Sequence, residues 1–262
     1  MHGEFLRSVL QKENVDTRGM LLDKKYFTTL AFVEVNESGE RTFSFARKPG
    51  ADTQIQKEEL DVDILDQTNI FHIGSLSLTD QPARDTTFYA VKRAKNKGSI
   101  ISYDPNYRSS LWENEEIAKE HMRSLLPYVD IMKISDEETE LLSGYENVIE
   151  AAEELYRQGV KIVAITLGRN GTYIYNKDGG RIVEGFAVEY VADTNGAGDS
   201  FWGSFLYKLS QSDKRIDELT LEELAEYARF GNAAASICVE KKGAIPAMSK
   251  LTQVEERLEG KK

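Results

Sequence analysis

The sequence of 262 residues is poor in the residue types on which disulfide, metal and membrane structures depend. It contains one cysteine, Cys238, so no disulfide can form within the chain, which suggests a reducing compartment. Its three histidines, His2, His72 and His121, lack the spacing of metal ligands, so we expect them to be surface or packing residues. Because no run of about 18 apolar residues is present, no membrane-spanning helix is expected.

The sequence also lacks an excess of positive charge and a recognisable export signal. Lys and Arg number 33 against 44 Asp and Glu, a formal charge of −11, and an acidic surface binds nucleic acids and anionic membranes poorly. Residues 1–14 do not contain the apolar core of a signal peptide. We therefore expect a cytoplasmic protein with no nucleic-acid or membrane partner. If the protein handles an anion such as ATP, local dipoles, a few basic groups and a metal must hold it.

Two common nucleotide-binding motifs are absent. No G-x-x-x-x-G-K-[ST] sequence occurs, so the chain is not a P-loop enzyme. Nor does a strand open into G-x-G-x-x-G with an acidic residue downstream, which disfavours a nicotinamide-dependent dehydrogenase.

What is present is an alternation of short apolar runs with helical stretches, in a chain long enough for one large α/β domain. The apolar runs predict strands at residues 70–73, 99–103, 131–134 and 161–166, and two later antiparallel strands at 173–175 and 182–188. Helical spacing predicts helices at residues 3–14, 84–95, 115–126, 137–142, 148–155, 221–239 and 251–258. This order predicts an α/β fold, a doubly wound and mostly parallel sheet with helices on both faces.

A segment near the N-terminus differs from this alternation. Residues 26–35 are rich in Thr, Val and Phe, residues 37–40 form a turn signal, and residues 41–47 alternate, with Phe43 and Phe45 on one face. The pattern predicts an antiparallel hairpin whose apolar face covers a site or a dimer contact, since a lone hairpin is marginally stable. An edge hairpin of the main sheet is the alternative. We expect residues 19–52 to form a β lid, and residues 1–18 and 53–262 to form the α/β core.

Polar and glycine-containing segments follow the predicted strands. They are residues 74–75, 104–108, 135–138 and 166–171. In open α/β sheets, ligands bind in the crevice outside the carboxyl ends of the strands. Together these segments predict a small-molecule site at that edge.

The most informative stretch is Asp193-Thr194-Asn195-Gly196-Ala197-Gly198-Asp199, which is followed at once by apolar residues at helical spacing. A glycine-rich turn that opens a helix presents unpaired N–H groups and partial positive charge, which together bind anions. Asp199 could accept a proton from a hydroxyl that attacks a phosphate held there. The alternative is that Asp199 merely caps the helix.

Several other residues each admit two interpretations. Glu138 is within reach of a Mg²⁺ shell or is a favourable charge at a helix N-terminus. Arg108 pairs with a phosphoryl or substrate oxygen, or is a surface cation. The small residues at 231–235 admit an adenine ring or allow tight helix packing. Residues 242–246 end a helix and could form a wall of the same pocket.

These segments resemble, in order, the motifs of the ribokinase-like carbohydrate kinases. The resemblance rests on the stretch 193–199, the hairpin ending in Arg-Lys-Pro-Gly-Ala-Asp at 47–52 and Asp-Pro-Asn-Tyr-Arg at 104–108. It also includes Ser135-x-x-Glu138, Thr166-x-Gly168 and Lys-Gly-Ala-Ile-Pro at 242–246. It covers nearly the whole chain, and the hairpin and the 104–108 segment look closest to bacterial fructokinases.

The resemblance implies an ATP-dependent transferase that phosphorylates a sugar hydroxyl, most simply fructose to fructose 6-phosphate. Asp199 would be the general base, and the N–H groups of Gly196, Ala197 and Gly198 would hold the transferring phosphoryl group. The remaining implied assignments are ATP binding by Ser135, Thr166, Gly168, Gly171, Asn232 and Gly243, substrate binding by Asn106, Arg108 and Asp199, Mg²⁺ through water at Glu138, and K⁺ at Asp193. The lid would close over the sugar and pair between the subunits of a homodimer.

The chain also departs from the family pattern, because members begin with a strand and a Gly-Gly-x-x-x-Asn segment that this sequence lacks. We expect either that the beginning of a normal kinase is omitted from the sequence or that the chain is a truncated product. Two alternatives for function stay open. One is a kinase for another acceptor, such as ribose, a ketodeoxy sugar acid or a nucleoside, and the other is a non-catalytic nucleotide- or sugar-binding module.

Overall fold

The computed structural model describes residues 1–35 and 41–260, apart from the side chains of residues 34, 35 and 41–43. The turn predicted at residues 37–40 and the side chain of Phe43 therefore lie outside the described residues. The chain divides into two compact units, residues 1–128 and residues 129–262, and each is described by itself.

The first unit begins with a helix and the expected hairpin. Helix α1 (His2–Lys12) confirms the helix predicted at residues 3–14, but none of its residues is buried within the described part of the chain, and Phe5 is 64% exposed. Strands β1 (Leu30–Val35) and β2 (Arg41–Ala46) pair antiparallel, with Leu30 opposite Ala46. They form a separate two-stranded sheet and not an edge of a larger one.

The rest of the first unit alternates helices and strands. The elements are α2 (Val62–Gln67), β3 (Ile70–Gly74), α3 (Ala83–Asn96), β4 (Ile100–Asp104) and α4 (Glu115–Arg123). Strands β3 and β4 are parallel, with Ile70 opposite Ile100, and α3 is the crossover between them. Buried Ala83, Thr87, Ala90 and Ala94 recur at helical spacing, so one face of α3 lies in the core.

The second unit continues the alternation. Its elements are β5 (Ile131–Ser135), α5 (Thr139–Ser143), α6 (Val148–Arg157), β6 (Ile162–Thr166), β7 (Thr172–Asn176), β8 (Gly179–Val183), α7 (Ala197–Ser210), α8 (Leu221–Cys238) and α9 (Leu251–Leu258). Strands β5 and β6 are parallel, and β7 and β8 follow antiparallel. The first four residues of β5 and of β6 are buried without alternation, as in parallel sheets that are covered on both faces.

These pairings confirm the predicted mixed α/β fold with a mostly parallel sheet. The strand predicted at residues 182–188 was wrong at both ends, because β8 runs from Gly179 to Val183. The chain leaves the ladder where Gly185 passes the backbone of the 168–171 loop, and a Cβ on Gly185 would lie 2.6 Å from the carbonyl oxygen of Arg169. Residues beyond Val183 therefore do not continue the pairing with β7.

Helices α7 and α8 pack closely in the second unit. A Cβ on Gly231 of α8 would lie 2.7 Å from the ring of Phe201 of α7, so glycine permits this approach. Trp202 and Phe205 stack beside Phe201, with 4.8 Å between their ring centroids. Of the two interpretations of the small residues at 231–235, tight packing is observed at Gly231. Among residues 1–35 and 41–260, no helix is long and apolar enough to cross a lipid bilayer.

Candidate active site

The turn before α7 has the form that the sequence predicts. Gly196 is the N-cap of α7 with φ of 78°, a left-handed conformation that costs residues with a Cβ about 1–2 kcal/mol. A Cβ at this position would also lie 2.9 Å from the Cβ of Ala244. Both the conformation and the space therefore require glycine.

The first turn of α7 carries backbone donors that are free within the described residues. The N–H groups of Gly198 and Asp199 have no hydrogen-bond acceptor there, whereas the N–H of Ser200 donates to the carbonyl of Gly196 at 2.7 Å. No side chain caps this helix, so the alternative in which Asp199 serves as the cap is not observed. The side chain of Asp199 is exposed. This helix end can accept an anion beside an exposed carboxylate.

A second carboxylate, that of Asp193, accepts backbone hydrogen bonds that stabilise the turn before α7. Asp193 accepts a hydrogen bond from the N–H of Asn195 at 2.8 Å and another from the N–H of Gly243 at 2.9 Å. The carbonyl of Val239 accepts from the N–H of Asp193 at 3.2 Å. Asp193 and Gly243, both predicted as site residues, are therefore in direct contact, and the turn is fastened to the loop that follows α8.

The one cysteine lies behind the same turn. The Sγ of Cys238 is 3.7 Å from the carbonyl oxygen of Asn195, to which it donates, and the residue is buried. Burial raises the pKa of this thiol, and the negative charges of Asp199 and Asp193 raise it further. Cys238 is therefore a packed thiol and not a nucleophile.

A cavity of about 730 Å³ opens beside the turn. Its walls include six residues that were singled out in the sequence, namely Thr166, Gly168, Gly171, Ala197, Gly198 and Asn232. The cavity is of the size that holds a cofactor or small ligand. The segment after β6 and the start of α7, which are separated by about 30 residues, thus border one space.

A close crossing of two segments forms one wall of this cavity. Gly171 has φ of 98°, and a Cβ there would lie 2.1 Å from the carbonyl oxygen of Val183. Asn232 secures the crossing, because its Nδ2 donates to the carbonyls of Val183 at 3.0 Å and Glu184 at 3.2 Å. Its Oδ1 accepts from the hydroxyl of Thr172 at 2.8 Å. The amide of Asn232 therefore holds the wall together.

Ser135 and Glu138 lie on the turn between β5 and α5. The carboxylate of Glu138 accepts from the N–H of Ser135 at 2.9 Å and from its hydroxyl at 3.2 Å, which is a capping box. Glu138 is buried. Neither residue is among those that line the cavity.

Asn106 and Arg108 lie on the loop after β4 in the first unit. Asn106 has a positive φ of 48°, and the Nη1 of Arg108 donates to the carbonyl of Tyr107 at 2.8 Å. The preceding Pro105 accepts from the N–H of Ser75 at 3.1 Å and from its hydroxyl at 2.5 Å. The ends of β3 and β4 are thus joined, as expected for polar segments that follow neighbouring parallel strands.

Sequence reasoning missed several residues of the cavity. Arg169 lines it between the two loop glycines, and its position in that loop could have revealed it. Phe186 and Val188 also line it but were assigned to a strand. Ser236 could have been found one helical turn beyond Asn232 on the same face of α8.

Comparison with known proteins agrees with this arrangement. Residues 1–251 match the family profile described as pfkB family carbohydrate kinase. Fructokinase-2 of Zea mays is 39% identical over 247 residues, which cover 94% of this chain and 73% of that protein. The resemblance inferred from the motifs is therefore confirmed.

Solved structures give the same result. A double mutant of the fructokinase from Vibrio cholerae O395, in a form with fructose, ADP and potassium ion bound, matches with a TM-score of 0.89 at 28% identity, covering 98% of this chain and 81% of that chain. An aminoimidazole riboside kinase from Salmonella enterica, complexed with aminoimidazole riboside and an ATP analog, matches with a TM-score of 0.83 at 30% identity and the same coverage. The chain belongs to the pfkB family of carbohydrate kinases and is a sugar kinase.

Proposed function

We propose that this chain transfers the γ-phosphoryl group of ATP to a hydroxyl of fructose and forms fructose 6-phosphate. One observation carries the proposal, namely that the free N–H groups of Gly198 and Asp199 stand beside an exposed carboxylate at the start of α7. Phosphoryl transfer requires little covalent work from the protein, and it depends mainly on positioning and on stabilisation of charge. This helix end supplies both.

In this proposal Asp199 is the general base that removes the proton from the sugar hydroxyl. A positioned base contributes roughly 10²- to 10⁴-fold to the rate. The backbone of Gly196, Ala197 and Gly198 is assigned to the anion hole for the transferring group, and in this structure the N–H of Ala197 donates to the carbonyl of Thr194 at 3.3 Å while that of Gly198 is free among the described residues. The loss of one such donor costs on the order of 10²- to 10³-fold. The helix dipole of α7 adds partial positive charge at the same place.

ATP occupies the cavity in the second unit, with its phosphates toward the turn. Thr166, Gly168 and Gly171 border the nucleotide, Asn232 shapes the wall around it, and Arg169 adds a cation. Ser135 and Gly243 are assigned to the phosphate end by the family resemblance. The support for a nucleotide is the size of the cavity and its largely apolar lining next to an anion-binding turn.

The residues present fit Mg²⁺ that is carried mainly by the nucleotide. Within residues 1–35 and 41–260, no three His, Cys, Asp or Glu side chains cluster so as to hold a metal. Mg²⁺ commonly keeps several waters and uses one or two carboxylates plus phosphate oxygens. Glu138 is the carboxylate assigned to it, through water, and the ion supplies charge neutralisation at the phosphates.

A monovalent cation, K⁺, is assigned to the corner formed by Asp193 and the Gly243 loop. The carboxylate of Asp193, whose two oxygens each accept one backbone N–H, supplies hard oxygen donors of the kind that such an ion prefers. Its contribution would be to keep the turn in its anion-binding shape.

Asn106, Arg108 and the hairpin lid are assigned to the sugar. In this arrangement residues 19–52 form the lid and residues 1–18 and 53–262 form the core. The lid also pairs two subunits in a homodimer of a cytoplasmic enzyme. The support is that β1 and β2 form their own small sheet with exposed apolar residues on β1.

Fructose is favoured as the acceptor because fructokinases recur among the relatives, including that of Zea mays at 39% identity. A riboside is the second candidate, because the aminoimidazole riboside kinase of Salmonella enterica is 30% identical and shares the fold.

The test is sugar-dependent release of ADP by the purified protein with ATP, Mg²⁺ and K⁺. Fructose, other hexoses, ribose, a ketodeoxy sugar acid and aminoimidazole riboside are compared at equal concentration. We expect the highest kcat/KM with fructose. A higher value with the riboside would replace the acceptor but keep the chemistry, whereas binding of ATP without transfer to any acceptor would favour a non-catalytic binding module.

A further inference from the structure

The stem of the hairpin is fastened by one carboxylate. Thr29 and Arg47 lie just outside the last pair of the hairpin, Leu30 and Ala46. The hydroxyl of Thr29 donates to one oxygen of Asp52, and the Nε of Arg47 donates to the other at 2.7 Å. Both strands of the hairpin are therefore held at their base by Asp52.

Arg47 also hydrogen-bonds to residues 76–79, which follow β3. Its Nη1 donates to the hydroxyl of Thr79 at 2.7 Å, and its Nη2 donates to the carbonyl of Leu76 at 2.6 Å. The side chain is only 4% exposed. A buried guanidinium is costly unless its donors are satisfied, so these contacts fix its geometry.

The same segment leads to the loop assigned to the sugar. Ser75 directly precedes Leu76, and both its N–H and its hydroxyl donate to the carbonyl of Pro105. Pro105 precedes Asn106, which is held in a left-handed conformation. The hairpin stem is therefore linked to the 104–108 loop, within the first unit, by the hydrogen bond from Arg47 to Leu76, the peptide bond between Ser75 and Leu76, and the hydrogen bonds from Ser75 to Pro105.

We infer that Arg47 is a positioning residue for the sugar, which sets the hairpin stem and the 104–108 loop in a fixed relation. This inference rests on the proposed function, in which the hairpin and Asn106 face the acceptor. Arg47 contacts neither ATP nor the anion turn in this scheme, so its effect falls on the acceptor and not on the nucleotide.

Asp80 is a second carboxylate close to the guanidinium of Arg47, in addition to Asp52. Its Oδ2 is buried without a hydrogen-bond partner among the described residues, and it lies 3.8 Å from the Nη1 of Arg47. Buried acceptors in native proteins generally have partners, so an unsatisfied oxygen calls for an explanation. The positive charge of the Arg47 guanidinium, at ion-pair distance from this oxygen, supplies that explanation. Arg47 therefore also balances the charge of Asp80 beside the hairpin stem.

The test compares Arg47→Lys and Arg47→Met with the control Arg93→Lys. Arg93 lies in the same unit and holds Asp66 with two hydrogen bonds, at 2.6 and 2.8 Å, but it does not contact the hairpin stem. For each variant we measure the KM for sugar, the KM for ATP, kcat, the melting temperature and the amide exchange of residues 30–35.

For Arg47→Lys we expect the KM for sugar to rise about tenfold, and for Arg47→Met about 10²-fold, since a misplacement of about 1 Å can cost that much. We expect the KM for ATP to stay within about twofold. Exchange of residues 30–35 should accelerate in both variants and stay unchanged in Arg93→Lys. If Arg47→Met does not fold, Thr79→Val removes one acceptor of the same anchor and should raise the KM for sugar alone.

An unchanged KM for sugar in a folded Arg47 variant, or an equal rise for sugar and ATP, would overturn the inference. Failure of the proposed function would look different, because the unaltered protein would then phosphorylate no sugar. The exchange measurement does not depend on catalysis. Even in that case, amide exchange of residues 30–35 in Arg47→Met that is as slow as in the unaltered protein would show that Arg47 does not hold the hairpin stem.

Discussion

Two aspartates six positions apart have different surroundings and therefore different uses. Asp193 accepts two backbone hydrogen bonds, from Asn195 and Gly243, and so maintains the shape of the turn. Asp199 is exposed, and its side chain does not cap α7. A group that reacts with a substrate must be accessible, so Asp199 is the candidate base and Asp193 is the structural one.

Replacement of Asp199 by Asn should therefore remove chemistry and leave binding. We expect kcat to fall by roughly 10²- to 10⁴-fold, because the amide cannot accept the proton. Steady-state assays with sugar and ATP give kcat, and calorimetry gives the affinity for ATP, which should stay near that of the unaltered protein.

Asp193→Asn is the matched control for this change. It alters a carboxylate of the same turn but disturbs the hydrogen bonds to Asn195 and Gly243, so it should lower the melting temperature and weaken ATP binding. Wild-type turnover in Asp199→Asn would contradict the assignment of the base.

The sequence predicted that Asn232 lies at the cavity, but it did not predict the hydrogen bonds that Asn232 makes. Small residues around it suggested a surface for a flat ring, and it does line the cavity. Its three hydrogen bonds go to Thr172, Val183 and Glu184, which are far away in sequence. Such partners come together only in the tertiary fold, so no local sequence pattern could have predicted these hydrogen bonds.

At the scale of elements, the crossing of the 168–171 loop with residues 183–185 depends more on Gly171 than on Gly168. Gly168 and Gly171 both have positive φ, 56° and 98°. A Cβ on Gly168 meets nothing within 4 Å, but one on Gly171 would lie 2.1 Å from the carbonyl oxygen of Val183. The two glycines are thus a matched pair.

Gly168→Ala should cost about 1 kcal/mol of unfolding free energy, for the left-handed conformation alone. Gly171→Ala should cost more than about 3 kcal/mol, because strain and the clash with the backbone of Val183 add. Urea unfolding followed by circular dichroism measures both. Equal losses in the two variants would show that the backbone of Val183 does not approach Gly171 closely enough to exclude a Cβ.

Helix α8 begins with a capping box that responds to pH. The carboxylate of Glu223 accepts from Lys214 at 2.5 Å and from the N–H of Thr220 at 3.0 Å. These hydrogen bonds, that to Lys214 first, lower the pKa of Glu223 from 4.5 to about 2. Because the folded pKa is depressed, the stabilisation is present above pH 4.5 and is lost as the pH falls through about 2.

Glu223→Gln should therefore have a lower melting temperature than the unaltered protein at pH 7, and the difference should shrink as the pH falls from 4.5 towards 2. Thermal unfolding at several pH values measures it. Glu226→Gln is the control, since Glu226 is exposed on the same helix away from the cap. A difference that is constant over the whole pH range would exclude the capping carboxylate as its source.

Most helices and strands could be predicted because each has a regular period of apolar residues. The face of α3 that contains Ala83, Thr87, Ala90 and Ala94 is of this kind. The end of β8 could not, because residues 182–188 look like a strand and only the contact of Gly185 with Arg169 interrupts it. The hydrogen bonds from Thr29 and Arg47 to Asp52 were also missed, since these residues lie 23 and 5 positions away from Asp52 in the sequence.

At the scale of the whole molecule, the hairpin leaves apolar side chains without cover. Leu30 and Phe32 share one face of β1, and Phe32 is 57% exposed. Exposed apolar patches on soluble proteins often mark contacts between proteins. This supports the proposed homodimer through the lid.

Phe32→Lys should convert the dimer to a monomer, because a charge in the centre of an apolar contact is costly to bury. Sedimentation velocity at several protein concentrations measures the mass. Ile182→Lys is the control, because Ile182 is 58% exposed on β8 in the second unit. A monomeric unaltered protein would refute the dimer, and equal masses for the unaltered protein and Phe32→Lys would refute the hairpin contact.

The bond between Asp193 and the N–H of Gly243 has a consequence for how the molecule matures. The turn that opens α7 is complete only when Asp193 can accept from the N–H of Gly243, a residue that is synthesised more than 30 positions after the end of α7. A nascent chain that ends before residue 243 contains Asp199, the proposed base, but lacks the Gly243 N–H that holds Asp193. Competence for the proposed transfer should therefore appear only after residue 243 has been added and its loop has folded against the turn.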